Sequence, residues 1–229
     1  MAIQVFYHIT CIGPWENIMN TQIQKLIYSG LYEDAAVINC YVLGAGNVKD
    51  FQRCLALLSK AGKKFKVVKE NAMDRHDEAF TLSDIRNHIT PESKVLYLHT
   101  KGVTRYASNV YKIGDHSHVI DGLFDHVMDW NNIMEYVLIK NYKVCLEALK
   151  TYDVVGMNYL THPPHFSGNF WWCTGKHYLS LPENVSICEA HICLQNPRAK
   201  NMFNSGLAGY GHYFHGYSMS NYIDTLRFP

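Results

Sequence analysis

The sequence predicts an α/β protein built on a mostly parallel sheet. Over the first hundred residues, short β-rich apolar runs alternate with segments of helical periodicity. Turns that contain glycine or proline separate these segments. Strands and helices that alternate in this way form parallel sheets through right-handed crossovers. With 229 residues the chain can bury the core of one large domain.

Four strands and three helices are expected in this first part of the chain. The predicted strands are residues 3–9, 35–43, 65–68 and 94–98. The predicted helices are residues 15–28, 48–58 and 78–88, and each has apolar residues at three- and four-residue spacing. Gly30 and Gly62 end the first two helices, and Pro91 breaks the chain after the third.

The second part of the chain has a different pattern. Residues 105–118 are polar and have no period, so we expect a long loop that orders when a ligand binds. Helices are predicted at residues 119–140, 142–149 and 176–181, and a strand at 153–157. No linker or repeat is visible, so we predict a single domain over residues 1–229. Its nucleotide-binding half is residues 1–104, and its sugar- and acceptor-binding half is residues 105–229.

Composition excludes several classes of protein. The net charge of +1 gives no general attraction to nucleic acid or to an anionic membrane. No apolar run reaches the ~20 residues of a membrane span, and the N-terminus lacks the basic region of a signal peptide. The seven cysteines form no CxxC pair, which favours reduced thiols and a cytoplasmic location. Neither GxGxxG after the first strand nor GxxxxGK[ST] occurs, which argues against dinucleotide enzymes and P-loop NTPases.

The segment VLYLHTKGVT at residues 95–104 is the strongest signal for a site. A short buried strand is followed at once by His99, Thr100, Lys101 and Gly102. Ligands of open α/β sheets bind outside the carboxyl ends of the strands. Lysine offers a point charge that suits phosphate, and glycine lets a ligand approach the backbone. We therefore predict that these four residues bind a phosphate-bearing donor; the alternative is a strand that ends in a solvated turn.

Further donor-binding candidates follow the other predicted strands. Thr10 and Gly13 follow the first strand, where a base or ribose rests in folds of this kind. Asn71 follows the third strand, and Arg105 lies beyond the fourth, where its charge could offset a departing diphosphate. The alternative for the candidates after the first and third strands is an ordinary solvated loop.

The segment HFSGNFWW at residues 165–172 is the candidate sugar site. Ser167 and Asn169 supply groups that bond to hydroxyls, and Trp171 and Trp172 supply apolar faces that stack on sugar rings. Because successive side chains of a strand point to opposite faces, we expect one indole in the core and the other in a cleft. The alternative is that both are buried anchors.

Read together, these segments resemble a known family. In order along the chain they are VLYLHTKGVT, DW at 129–130, YDVVG at 152–156, HFSGNFWW, YL at 178–179 and LP at 181–182. From about residue 78 onward, the chain resembles GT-A-type glycosyltransferases of bacteria and of large DNA viruses of algae. The resemblance implies a GT-A fold, a UDP-sugar donor, a glycan or glycoprotein acceptor, and Mn²⁺ or Mg²⁺ as cofactor. For a viral protein it implies work in glycan biosynthesis in the host cytoplasm.

The chain departs from that family at two places. His99-Thr100-Lys101 stands where the GT-A fold commonly has the metal-binding Asp-x-Asp. Either His99 contributes to a metal site completed elsewhere, with Mn²⁺ preferred over Mg²⁺, or Lys101 itself offsets the diphosphate charge. The resemblance also implies a pair of acids near residues 187–194, where only Glu189 remains, so Glu189 is the candidate catalytic base and Asp121 the second. His212, or His215, is a candidate metal ligand near the C-terminus.

Two other classes of function stay open. A metal-dependent hydrolase could use the many His and Asp residues, although His116-x-His118 is the only pair with HxH or HxxxD spacing and is expected in a loop. A non-catalytic sugar-binding module could use the two tryptophans, but it would not need HTKG at the end of a parallel strand.

Overall fold

The computed structural model describes residues 2–73, 78–106, 110–113 and 115–206, and only the backbone of residues 111–113. A seven-stranded sheet forms its centre, in the order β11-β7-β10-β4-β1-β2-β3. These strands are β1 Ile3–Thr10, β2 Ala35–Leu43, β3 Phe65–Asn71, β4 Lys94–His99, β7 Val154–Gly156, β10 Trp171–Thr174 and β11 Ala199–Asn201. All pair in parallel except β10, which runs antiparallel to both of its neighbours. The predicted α/β class and mostly parallel sheet are confirmed.

Helices cover both faces of the sheet. They are α1 Trp15–Tyr28, α2 Leu31–Asp34, α3 Val48–Ala61, α4 Ala79–Leu82, α5 Leu123–Glu135, α6 Tyr142–Ala148, α7 Gly175–Ser180 and α8 Cys188–His191. Apolar residues of α1, α3, α5 and α6 form one core with alternate residues of β1. A second core lies on the other face, against the segments around α4, α7 and α8. No helix in the described ranges is long and apolar enough to cross a membrane.

Three predicted elements differ from the structure. The helix predicted at 78–88 is the single turn α4 followed by a 3₁₀ turn, Ile85–His88. The helix predicted at 119–140 begins only at Leu123, after Gly122 at φ +70°, and its last turn, Tyr136–Lys140, is π-helical. The polar stretch predicted as a loop contains the hairpin of β5 Val110–Ile113 and β6 His116–Val119. A second hairpin joins β8 Tyr159–Thr161 to β9 Pro164–Phe166.

The direction in which successive strands are added to the sheet reverses between β1 and β4. The chain passes from β1 to β2 and β3 on one side, and then crosses back to place β4 on the other side of β1. In open α/β sheets, the crevice at such a switch point is where ligands bind. Because β10 is antiparallel, its first residues lie at the same edge as the carboxyl ends of β1 and β4. This carboxyl edge therefore carries both sequence segments that were predicted to form the site.

Candidate functional site

The ends of β1 and β4 are tied directly to each other. The backbone N–H of Thr10 donates to Oγ1 of Thr100 at 3.1 Å, and the N–H of Thr100 donates to the carbonyl of His8 at 3.0 Å. Both threonine side chains are buried. These two donor-binding candidates therefore fix the floor of the crevice.

The loop after β1 packs closely on the loop after β4. Gly13 has φ +55°, and a Cβ on it would lie 2.6 Å from the carbonyl oxygen of Val103 and would also strike the ring of Tyr106. A real Cβ does not fit there, so glycine is required by both space and backbone conformation. Gly13 thus holds the two loops together at the switch point.

The HTKG loop rests on α5. The carbonyl of Lys101 accepts a 2.8 Å hydrogen bond from the side-chain amide of Asn131. Gly102 has φ +94°, and a Cβ on it would lie 2.8 Å from Cγ1 of Val127. The backbone of Lys101 is therefore fixed, and its half-buried side chain lies at the crevice.

Behind this loop, a buried network supports the end of β4. Nε2 of Gln22 donates to the carbonyl of His99 at 3.1 Å and to Oε1 of Glu135 at 2.9 Å. The hydroxyl of Tyr7 donates to Oε1 of Gln22, and Glu135 forms an ion pair with Lys25. Burial raises the pKa of Glu135, and Lys25 and Gln22 counteract this by stabilising the charged form. The network joins α1 and α5 to the backbone of His99.

The centre of the site is the carboxylate of Glu78, which precedes α4. Its Oε2 accepts hydrogen bonds from the hydroxyl of Tyr97 at 2.9 Å and from the side-chain amide of Asn169 at 2.5 Å. Its Oε1 lies 3.9 Å from Nδ1 of His99. The Glu78 side chain remains 23% exposed, and its hydrogen-bond partners hold the carboxylate in place.

The charges of Glu78 and His99 follow from these surroundings. Burial lowers the pKa of His99, and this outweighs the opposite effect of Glu78. Burial alone would raise the pKa of Glu78, but the neighbouring His99, His8 and Lys101 and the hydrogen bond from Tyr97 lower it overall. Nε2 of His99 lies 3.1 Å from the carbonyl of Gly168, which only accepts, so Nε2 carries the proton. The neutral ring therefore turns the lone pair of Nδ1 toward Glu78.

His8 adds a second imidazole on the same face of the sheet. Its Nδ1 is hydrogen-bonded to Oγ1 of Thr81 at 2.8 Å and its Nε2 to Oγ1 of Thr10 at 3.3 Å. The charge of His8, when protonated, lowers the pKa of Glu78. The alternation of β1 places His8 and Thr10 on the face that carries Glu78.

The segment predicted to bind sugar lies beside Glu78 and is largely buried. Asn169 is 1% exposed, and its Oδ1 accepts from Nε1 of Trp171 at 2.9 Å while its amide binds Glu78. Trp171 and Trp172 face opposite sides of the sheet, as expected, but both lie in its two cores and neither opens to a cleft. Ser167 is 5% exposed, and its hydroxyl has no hydrogen-bond partner in the described part of the chain.

The other candidates lie at different distances from this centre. Glu189 is exposed on α8, and its charge slightly opposes the lowering of the pKa of His99 by burial. Asp121 is exposed in the turn before α5, and Arg105 is half-buried in the turn after Gly102. Asn71 is exposed, and its Oδ1 accepts from the N–H of Met73 at 3.0 Å, which is a local turn. His212 and His215 lie outside the described residues.

Sequence reasoning did not identify Glu78 or His8 as site residues. Glu78 lies in a stretch without a recognisable motif, and only the fold brings it to Tyr97 and Asn169. His8 could have been found, because it stands two residues before the end of a strand whose carboxyl end was already a candidate.

The described residues bring together few side chains that could ligate a metal ion. The described residues contain no group of three or more His, Cys, Asp or Glu that could hold a metal ion. His99 and Glu78 form a pair, with one nitrogen and one oxygen donor 3.9 Å apart. His116 and His118 lie on strand β6 rather than in a loop, which corrects the prediction for that pair.

Comparisons with known proteins identify no family for this chain. No protein-family model matches the chain, and no curated protein matches it. Solved structures do match, among them the crystal structure of the Rv0371C complex with manganese from Mycobacterium tuberculosis H37Rv. That structure aligns with a TM-score of 0.43 and 8% identity, over 93% of this chain and 97% of the other.

Proposed function

We propose that the protein is a GT-A-like glycosyltransferase that transfers a sugar from a nucleotide-diphosphate donor, a UDP-sugar, to a glycan or glycoprotein acceptor. The observation that carries the proposal is the meeting of Lys101, His99 and Glu78 at the carboxyl edge beside the β1/β4 switch point. A cation, a neutral imidazole and a charged carboxylate are thereby placed where α/β folds bind their ligands.

Lys101 has the main role toward the diphosphate. Transfer breaks the bond between the anomeric carbon and a diphosphate oxygen, so negative charge develops on the leaving group. A fixed cation in a partly buried site stabilises that charge. Lys101 is close enough to Glu78 and His99 to lower both of their pKa values. Arg105, one turn further, supplies a second positive charge at the same loop.

The pair of His99 and Glu78 fits a divalent cation that is completed by the donor. Mg²⁺ and similar hard ions are commonly held by one or two carboxylates together with substrate phosphates and water. Glu78 supplies a charged carboxylate, and the Nδ1 lone pair of neutral His99 faces it. When bound, Mn²⁺ or Mg²⁺ would offset charge on the diphosphate. Glu78 and His99 would hold the ion together with phosphate oxygens of the nucleotide sugar.

The acceptor side rests on residues that are still accessible. The acceptor hydroxyl attacks the anomeric carbon and passes its proton to a carboxylate. Glu189, exposed on α8 and within electrostatic reach of His99, is the first candidate base, and Asp121 is the second. Ser167 offers a hydroxyl that has no hydrogen-bond partner among the described residues, and this hydroxyl is available for a sugar contact. Asn169, which binds Glu78 and Trp171, acts through the position of Glu78.

A cytoplasmic location is part of this proposal. None of the seven cysteines forms a disulfide, and six of them are buried. Reduced thiols of this kind are typical of proteins in a reducing compartment.

A donor-consumption screen tests the proposal. UDP- and GDP-sugars are incubated with the protein in Mn²⁺, Mg²⁺ or EDTA, with and without glycan acceptors, beside the Lys101→Ala variant. We expect release of UDP from at least one UDP-sugar, with a rate at least tenfold lower in Lys101→Ala. Absence of nucleotide release from every donor under all three conditions would contradict the proposal. Full activity in EDTA would assign the diphosphate charge to Lys101 alone.

A further inference from the structure

A cavity opens at the opposite edge of the sheet from Glu78. Its volume is about 530 Å³, and it lies where β4 begins, β10 ends and α7 starts. An adjoining cavity of about 540 Å³ shares Lys94, Leu149 and Lys150 with it. Volumes of this size are those of small-molecule sites. We refer to the first cavity as the amino-edge cavity, because Lys94 is the first residue of β4.

The wall of the amino-edge cavity is rich in positive charge. Its lining contains four cationic side chains, Lys94, Lys150, Lys176 and Arg198, and two carboxylates, Glu92 and Asp153. Arg198 is paired with Asp153, with Nη2 3.1 Å from Oδ1 and Nε 3.2 Å from Oδ2. Lys150 is paired with Glu147 at 2.6 Å. Two of the four cations are thus neutralised by carboxylates of the chain.

The other two cations, Lys94 and Lys176, have no carboxylate within ion-pair distance in the described part of the chain. Lys94 is half-buried, and its Nζ makes one long hydrogen bond of 3.4 Å to the carbonyl of Leu149. Burial lowers the pKa of Lys94, because a charged ammonium is less stable away from water. An anion in the cavity would offset that cost.

The uncharged side chains of Thr174 and His177 line the same cavity as these lysines. Oγ1 of Thr174 accepts from the N–H of His177 at 3.2 Å, which leaves the hydroxyl hydrogen to donate. Thr174 pairs with Lys94 across β10 and β4, so the hydroxyl and the ammonium come from directly opposed residues. The ring of His177 is fixed by a 2.8 Å hydrogen bond to the carbonyl of Ile192. A cationic and a hydroxyl donor thus come from neighbouring strands at one edge of the sheet.

We propose that the amino-edge cavity binds the phosphate group of a small molecule, held by Lys94, Lys176 and the hydroxyl of Thr174. Lysine supplies the point charge that phosphate binding needs, and the hydroxyl supplies a directed hydrogen bond. The cavity is separate from the donor site, because Lys94 and His99 stand at opposite ends of β4, ~16 Å apart at the rise of a parallel strand.

Calorimetric titration of the full chain with inorganic phosphate, at an ionic strength held constant with NaCl, tests this site. Four variants are compared: Lys94→Met, which keeps the apolar stem, Lys176→Ala, Lys101→Ala at the other edge, and Lys60→Ala on the exposed end of α3. We expect saturable binding that weakens at least tenfold in Lys94→Met and at least threefold in Lys176→Ala. Lys60→Ala should bind phosphate as the unmodified chain does, and Lys101→Ala should keep the phosphate binding that depends on Lys94 and Lys176.

Three results would overturn the proposal. One is the lack of saturable phosphate binding by the unmodified chain. The second is unaltered affinity in Lys176→Ala, a variant of an exposed residue that keeps the test decisive even if Lys94→Met does not fold. The third is a loss confined to Lys101→Ala, which would place the bound phosphate at the carboxyl edge.

Discussion

The side-chain amide of Asn169 donates a 2.5 Å hydrogen bond to Oε2 of Glu78, although 91 residues separate the two in the chain. The same oxygen accepts from the hydroxyl of Tyr97, and Oδ1 of Asn169 accepts from Nε1 of Trp171. One carboxylate thus links the segment before α4, strand β4 and the start of β10. The two predicted halves of the chain meet at Glu78.

Glu78→Gln removes the charge of this carboxylate and keeps its shape. The amide oxygen still accepts a hydrogen bond from Tyr97 or Asn169, and the amide N–H can donate to Nδ1 of His99. We expect a melting temperature close to that of the unmodified protein, and donor turnover lower by more than tenfold, a loss above ~1.4 kcal/mol. Donor consumption and a thermal melt measure the two effects. Turnover equal to that of the unmodified enzyme would remove Glu78 from the chemistry.

Asn169→Ala and Asn169→Gly form a matched pair. Both remove the partners of Glu78 and of the Trp171 N–H, which costs roughly 1–3 kcal/mol of folding stability. Asn169 has φ +55°, so alanine adds about 1 kcal/mol of backbone strain that glycine avoids. We expect both variants to melt lower, alanine more so, with turnover reduced in each. If stability holds in both while turnover collapses, Asn169 contacts the sugar directly, as the sequence predicts.

A comparison of Gly13→Ala with Gly46→Ala separates the effect of the loop contact at Gly13 from the effect of backbone strain. Both glycines have positive φ, but a Cβ at Gly13 would strike Tyr106 and the carbonyl of Val103, whereas a Cβ at Gly46 meets nothing within 4 Å. Gly46→Ala should cost only the ~1 kcal/mol of a left-handed alanine. Gly13→Ala should also separate the two loops and weaken UDP binding at least tenfold. Equal UDP affinity in the two variants would show that this loop contact does not shape the donor site.

Stability should fall below pH 6.5 because of buried histidines. Burial, with the charges of Arg86 and His177, lowers the pKa of His191 from 6.5 to about 4. Between these pH values His191 is protonated in the unfolded chain but neutral in the folded chain. Lowering the pH therefore lowers the free energy of unfolding, by up to ~3 kcal/mol for this group. Burial lowers the pKa of His99 and His177 in the same direction.

His191→Phe tests that effect. Phenylalanine keeps a ring against Tyr178 and removes both the titrating group and the buried Nδ1, which lacks a hydrogen bond in the described part of the chain. Urea unfolding between pH 7 and pH 4 should show a shallower loss of stability in this variant. Identical pH dependence in the two proteins would mean that His191 is protonated in the folded chain as easily as in the unfolded one.

The sheet could be predicted from the sequence to a large extent. Strands β1, β2 and β4 are buried on both faces and therefore appear as continuous apolar runs such as AAVINCYVL. The β5–β6 hairpin has one signal in the sequence, Gly114-Asp115 between VYKI and HSHV, but HSHV carries no apolar run and is exposed to half-buried. The sequence predicts too early a start for helix α5, because Val119 and Ile120 continue the apolar spacing before Gly122 turns the chain.

The sequence predicts site residues only where they follow the end of a predicted strand. His99, Lys101 and Gly13 follow predicted strands and do meet at one edge. Glu78 is brought in by tertiary contacts from a segment without a motif. The burial of both Trp171 and Trp172 follows from helices that cover both faces of the sheet, which strand alternation alone does not reveal.

Calorimetric titration with UDP in the presence of Mn²⁺ tests the central claim, that the β1/β4 crevice holds the diphosphate of the donor. The unmodified chain, Lys101→Ala and the control Lys60→Ala are compared, with thermal melts of each. We expect saturable UDP binding that weakens at least tenfold in Lys101→Ala, at an unchanged melting temperature, and is unaltered in Lys60→Ala. UDP that fails to bind the unmodified chain, or that binds Lys101→Ala with equal affinity, would contradict the claim.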